Sequence, residues 1–201
     1  INIYLNNVNI NTFAGPALQI RGNVEAAVTI HLTGTNNLIT KYTYSAGLQK
    51  DNEAPLIIKT NDSDTTAGIL NARSINGDGA GIGGGGYGAD SGRGSGSDIT
   101  INSSSVTASY TNGDGIGGGY EYGGSCKNIT INGGSVKASS VSGSPKNDQD
   151  EVCCCTINNP GSLEVKVDGS PWTPVNHTNV EPNHTNLYAW LTEVDHIITE
   201  I

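Results

Sequence analysis

Asp98-Ile-Thr-Ile-Asn102 returns 30 residues later as Asn128-Ile-Thr-Ile-Asn132, and this recurrence decides the fold. Two further pieces recur in step with it. Asn76-Gly-Asp-Gly79 returns as Asn112-Gly-Asp-Gly115, and Ile82-Gly-Gly-Gly85 as Ile116-Gly-Gly-Gly119. With that frame, fainter echoes upstream become readable. One strand type runs Ile3-Tyr-Leu5, Val28-Thr-Ile30, Leu56-Ile-Ile58, Ile99-Thr-Ile101 and Ile129-Thr-Ile131. A second runs Val8-Asn-Ile10, Leu38-Ile39, Ile69-Leu70, Val106-Thr-Ala108 and Val136-Lys-Ala138. A third runs Ala17-Leu-Gln19, Gly47-Leu-Gln49, Gly81-Ile-Gly83 and Gly115-Ile-Gly117.

Each unit thus holds three short strands with alternate residues apolar, the period that puts one set of side chains on one face. Such a unit cannot bury its apolar face alone. Stacking like strand on like strand, at about 4.8 Å per coil, makes three parallel sheets around one elongated core. About five coils would form a cylinder roughly 24 Å long. The expected fold is all-β: a right-handed parallel β-helix, the hand following the rule for parallel crossovers. A sandwich or barrel would need longer strands and hairpin dipeptides at regular spacing. Here the strands read as about three residues long, and the loops lengthen at one place, after the third strand. The Gly-rich loops Gly79–Gly96 and Gly113–Gly124 fall there, as turn chemistry. Neither has the Lys-Ser/Thr of a phosphate loop.

Composition agrees. Charged residues make up 14% of the 201 residues, and Gly alone numbers 28. Low charge with much Thr, Asn, Ile and Val suits strands and turns rather than helices. The net charge of −9, with only 10 Lys and Arg, excludes nucleic acid and anionic membrane surfaces as partners. No apolar run approaches the length of a membrane-spanning helix. With no Met, the chain is expected to be a piece of a longer protein.

The pattern changes near Thr156. Leu163-Glu-Val-Lys-Val167 followed by Asp168-Gly169 reads as a strand and tight turn. Thr185–Leu191 and His196–Ile201 read as further strands, and both tryptophans, Trp172 and Trp190, lie in this region as core of the module. A solenoid end exposes unpaired backbone and needs covering. Residues 1–155 are therefore expected to form the β-helix, and 156–201 a C-terminal antiparallel β cap. The N-terminal coil is left open, which invites self-association there. The run Cys153-Cys-Cys155, with Cys126 elsewhere, fits neither a metal knuckle nor a disulfide scaffold. Small apolar filler in a core strand is the expectation.

The run Gly79-Ala-Gly-Ile-Gly-Gly-Gly85, the strand and turn Ile129-Thr-Ile-Asn-Gly-Gly134 and the opening coils Ile3–Ile39 resemble a family of surface proteins. These are the clostridial and gut-Firmicute carbohydrate-binding-domain proteins, among them a cellulose- and pectin-binding β-helix. Thr173-Pro-Val-Asn-His177 and Thr185-Asn-Leu-Tyr-Ala-Trp-Leu-Thr192 resemble the same group. The resemblance is one of repeat style over most of the chain. It implies a pectate-lyase-like fold, an extracellular or cell-surface setting, and calcium. The triple cysteine and residues 140–151 depart from the repeat.

The candidate sites follow from the coil register. Asp78 and Asp114 share one slot of successive turns, where stacked carboxylates repel unless solvent or a hard cation lies between them. Asp90, Asp98 and Glu121 are near enough in sequence to add oxygen ligands for Ca²⁺, with Asp62-Ser-Asp64 as a second acidic loop. Tyr87, Tyr110, Tyr120 and Tyr122 cluster around the Gly-rich loops, and rings on a rigid scaffold stack against sugar faces. A polysaccharide lyase, the lesser alternative, would need an Arg or Lys base beside calcium-binding carboxylates; of Arg21, Arg73 and Arg93, only Arg93 shares a loop with one, Asp90, and it stands alone there. His177 and His184 have no zinc spacing. A non-catalytic module binding an extracellular polysaccharide is expected, with a purely structural or adhesin shaft as the alternative.

Overall fold

The structure, a computed structural model, describes residues 1–86, 96–102, 104–109, 115–119, 129–132, 134–138, 141–142, 154–157, 166–167, 170–171, 186–188 and 198–199. The first coil supplies β1 (Asn2–Asn6), β2 (Asn9–Thr12) and β3 (Leu18–Ile20). The second supplies β4 (Val28–Thr33), β5 (Thr35–Thr40) and β6 (Leu48–Lys50), and the third β7 (Leu56–Thr60), β8 (Ile69–Ser74) and β9 (Ile82–Gly83). Then come β10 (Ile99–Asn102), β11 (Ser104–Ser109) and β12 (Ile116–Gly117), followed by β13 (Ile129–Ile131), β14 (Gly134–Ala138) and β15 (Val141–Ser142).

Like pairs with like, always parallel. The first sheet runs β1-β4-β7-β10-β13, the second β2-β5-β8-β11-β14, and the third β3-β6-β9-β12-β15. From β1 to β13 the chain makes four full turns of a parallel β-solenoid. The described residues contain no helix.

Inside, identical slots stack into apolar ladders. Ile3, Ile30, Ile58, Ile101 and Ile131 lie one above another in the first sheet. Leu38, Ala72 and Ala108 do so in the second, and Leu48, Ile82 and Ile116 in the third. Apart from the half-buried Ile3, all of these are buried. Each large one contributes about 1.5–3 kcal/mol by leaving water. This burial holds the coils together, because each coil covers the apolar edge of the next.

Two expectations are corrected in detail. Ile3 pairs with Ile30 and Leu5 with Leu32, so the first strand sits two residues along from the alignment of Ile3 with Val28. An even shift keeps every side chain on its expected face. Loops also lengthen at a second place, since residues 61–68 separate β7 from β8 after the first strand of that coil.

Next, β16 (Cys154–Ile157) extends the first sheet in parallel with β13, putting Cys155 in register with Ile129. Beyond it the pairing turns antiparallel. β17 (Lys166–Val167) pairs with β18 (Ser170–Pro171) as the hairpin reading requires, β19 (Asn186–Tyr188) pairs with β16, and β20 (Ile198–Thr199) pairs with β14 and β17. Cys126 and Cys153 lie outside the described residues.

Candidate functional site

The connections from the second strand to the third stack on one another, and in the first two coils they carry aromatic rings. The ladder continues one residue past β5, with Lys41 N–H donating to Thr12 O at 2.9 Å. That register sets Lys41 over Phe13, its Nζ 4.6 Å from the ring centroid. Tyr42 and Tyr44 follow in the same corner and meet edge-on at 6.1 Å. The buried Thr40 hydroxyl fixes this corner by donating to Gly15 O at 2.7 Å and accepting from Tyr42 N–H at 3.1 Å. Gly86 N–H donates to Tyr44 O at 3.0 Å from the coil above. The backbone is thereby held, yet Phe13 is 69% exposed and Tyr42 40%. Large apolar rings kept in water on a pinned corner are available for stacking.

The other end of the third sheet holds a half-open groove of about 470 Å³, lined by Gln19, Arg21, Gly22, Asn23 and Asp51. Gln19 and Gln49 are register partners on β3 and β6. Their amides converge on Asp51: Gln19 Nε2 donates to Oδ2 at 2.6 Å, and Gln49 Nε2 to Oδ1 at 2.9 Å. Gln49 is itself fixed, its Oε1 accepting from Ala46 N–H at 3.2 Å. Burial raises the Asp51 pKa above the usual carboxylate value, and the two amide bonds pull the other way. Arg21 and Asn23 are exposed at the rim, and Arg21 makes no ion pair among the described residues.

Beneath the groove Lys50 occupies an inward slot above Ile20 and is fully buried. Its Nζ donates to Asn52 O at 2.5 Å. Desolvation lowers its pKa, against the opposing pull of the Glu53 and Asp98 charges.

Two of the acidic residues expected to hold calcium, Asp78 and Asp98, lie among the described residues. Asp78 lies in the corner between β8 and β9, its N–H donating to Thr43 O at 2.6 Å. Asp98 lies just before β10, at a different corner, with φ at 55° and its charge felt by Lys50. Among the described residues no three His, Cys, Asp or Glu side chains come together. Asp90, Asp114 and Glu121 lie outside the described residues, as do Tyr87, Tyr110, Tyr120 and Tyr122.

No family model, curated protein or solved structure matches this chain.

The remaining candidates have local structural partners. Asp62 pairs with Lys59 at 2.5 Å, and that contact lowers its pKa. Arg73 Nε donates to Ser109 Oγ at 3.1 Å. His31 packs against Tyr4, the rings stacked at 4.5 Å, with Nε2 3.2 Å from Asn2 Oδ1. Arg93, His177, His184 and His196 lie outside the described residues.

Sequence reasoning passed over Phe13, Tyr42, Tyr44, Gln19 and Asp51. Two signals were present: Phe13 is the chain's single Phe, and Leu18-Gln19 recurs as Leu48-Gln49. Neither carries weight until the coil register places it beside its partners.

Proposed function

We propose that the chain is a non-catalytic module that binds an extracellular polysaccharide along one side of the solenoid. The exposed corner of Phe13, Tyr42 and Tyr44 carries this reading. Sugar rings present C–H faces that stack on aromatic rings, and a pinned corner loses little entropy on doing so. The third sheet leads from that corner to the groove of amide, guanidinium and carboxylate groups, which supplies hydrogen bonds for hydroxyls. Low charge and the acidic balance fit a neutral, hydroxyl-rich ligand better than a polyanion. The likeness in repeat style to surface carbohydrate-binding proteins points the same way.

The test is depletion from solution by insoluble polysaccharides, with calcium and with chelator, for the chain and for Phe13→Ala and Tyr42→Ala. Retention that falls about fivefold or more in the aromatic variants supports the reading, since a stacked ring is worth about 1 kcal/mol. Calcium dependence of that retention would implicate the acidic turns around Asp78.

A structural shaft is the second reading. It is favoured by the continuous apolar ladders, which join coil to coil without help from any ligand. A shaft would itself stay in solution with every insoluble polysaccharide.

A further inference from the structure

The groove at Gln19, Arg21, Asn23 and Asp51 has the chemistry of a defined subsite, and this inference rests on the polysaccharide reading above. A carboxylate offers about four lone-pair positions. Gln19 and Gln49 take one on each oxygen of Asp51. Asp51 therefore keeps one acceptor position on each oxygen, fixed in direction by the two amides. Two acceptors side by side match a vicinal diol, in which neighbouring hydroxyls donate to the two oxygens of one carboxylate. Arg21 and Asn23 at the rim supply N–H donors for the ring and hydroxyl oxygens of the same sugar.

The volume agrees with this. About 470 Å³ falls within the ordinary range of small-molecule pockets and holds one or two sugar rings rather than a long segment. The lining is polar, so hydrogen bonding rather than apolar burial must select the ligand. Electrostatics narrows the class further. A uronate could pair with Arg21, but it would bring its charge beside Asp51 and toward a chain of net charge −9. A neutral pyranose meets neither penalty.

We propose that this groove is a subsite for one neutral pyranose unit bearing a vicinal diol, with Asp51 accepting the two hydroxyls and Arg21 donating to the sugar's oxygens. The polymer lies with another unit on the Phe13–Tyr42 corner, so the corner supplies stacking and the groove supplies selectivity. Asp51 discriminates against acidic sugars by charge. It also discriminates against units whose neighbouring hydroxyls are substituted, because its two fixed acceptors would then be left unpaired.

The experiment is affinity electrophoresis of the folded chain through native gels containing hydroxyethylcellulose, galactomannan or polygalacturonate. The variants are Asp51→Asn, Arg21→Gln and Phe13→Ala, with far-UV circular dichroism as the fold control. Arg21 is exposed, so its variant keeps the question answerable even if Asp51→Asn does not fold. The expected result is retardation by at least one neutral polymer, none by polygalacturonate, and roughly tenfold weaker binding in both groove variants, the worth of a charge-assisted hydrogen bond. Retardation by a neutral polymer that Phe13→Ala weakens, with both groove variants equal to the parent chain, overturns the subsite and leaves the aromatic corner standing. Retardation by polygalacturonate alone overturns the neutral-sugar assignment and keeps the binding reading. No retardation by any polymer overturns both.

Discussion

Asn36→Leu sets the apolar ladder against the hydrogen bonds that interrupt it. Asn36 fills the inward slot that Leu70, Val106 and Val136 occupy in the coils above, and it is fully buried. Pattern alone says Leu should serve better there. The structure says otherwise, because the side chain ties three coils together. Its Oδ1 accepts from Val8 N–H at 2.9 Å, and its Nδ2 donates to Thr33 O and Ile69 O, each at 3.2 Å. Leu has a similar shape but leaves all three backbone groups without that partner. The Thr33 carbonyl keeps Asn7 N–H at 3.2 Å, so two groups lose a partner, at about 1–3 kcal/mol each. Val8 and Thr33 are only partly buried, so water recovers some of it. Burying the Leu side chain returns about 2 kcal/mol. The net expectation is a loss of about 1–3 kcal/mol, or roughly 2–12 °C in melting temperature for a chain of this size. Urea unfolding followed by far-UV circular dichroism measures it. An Asn36→Leu variant as stable as the parent chain, or more so, would refute the argument that Asn36 is held by its hydrogen bonds.

Three further expectations concern glycine and buried charge. Gly83→Ala should cost about 2–3 kcal/mol in thermal melts, because φ is 130° and a Cβ there would run into the Gly117 carbonyl, whereas Gly15→Ala, with open space around it, should stay within about 0.5 kcal/mol. Burial raises the Asp51 pKa, so the folded state holds that proton more tightly than the unfolded chain. The stability of the parent chain relative to Asp51→Asn should therefore fall as pH rises from about 3 to 7, and denaturation midpoints across that window check the sign. The Lys50 pKa is lowered by desolvation, so the folded state gives up that proton first. The parent chain should gain on Lys50→Met as pH rises toward 10, while at neutral pH the Met variant should be at least as stable, since an apolar side chain of similar length avoids the cost of a buried ammonium. Urea midpoints of the two chains at neutral pH and near pH 10 check both statements.

The solenoid was legible in the sequence because its cause is local and repeated. Ile99-Thr-Ile101 and Ile129-Thr-Ile131 alternate with period two, and the same slots recur coil after coil. Less legible was anything that depends on register between coils. A two-residue slip of β1 leaves every side chain on its face, so the alternation could not separate Ile30 from Val28 as the partner of Ile3. The aromatic corner was hidden for the same reason, since Phe13 and Lys41 are far apart in sequence and meet only through the pairing of Thr12 with Thr40. Polar residues inside the coil were hidden differently. Asn36 and Lys50 look like surface positions by type, yet each is buried because a backbone carbonyl or amide at a corner needs its side chain. Asp78 was matched with Asp114 by their shared slot and Asp98 added by closeness in sequence; Asp78 lies between β8 and β9, and Asp98 just before β10.

The proposed function places a polysaccharide on the aromatic corner of a rigid solenoid. Its most direct test is depletion of the folded chain by insoluble neutral polysaccharide, compared with Phe13→Ala/Tyr42→Ala. Retention of the parent chain, with a loss of about tenfold or more in the double variant at unchanged circular dichroism, is the result the account expects. Equal retention of both chains, or none by either, would contradict it.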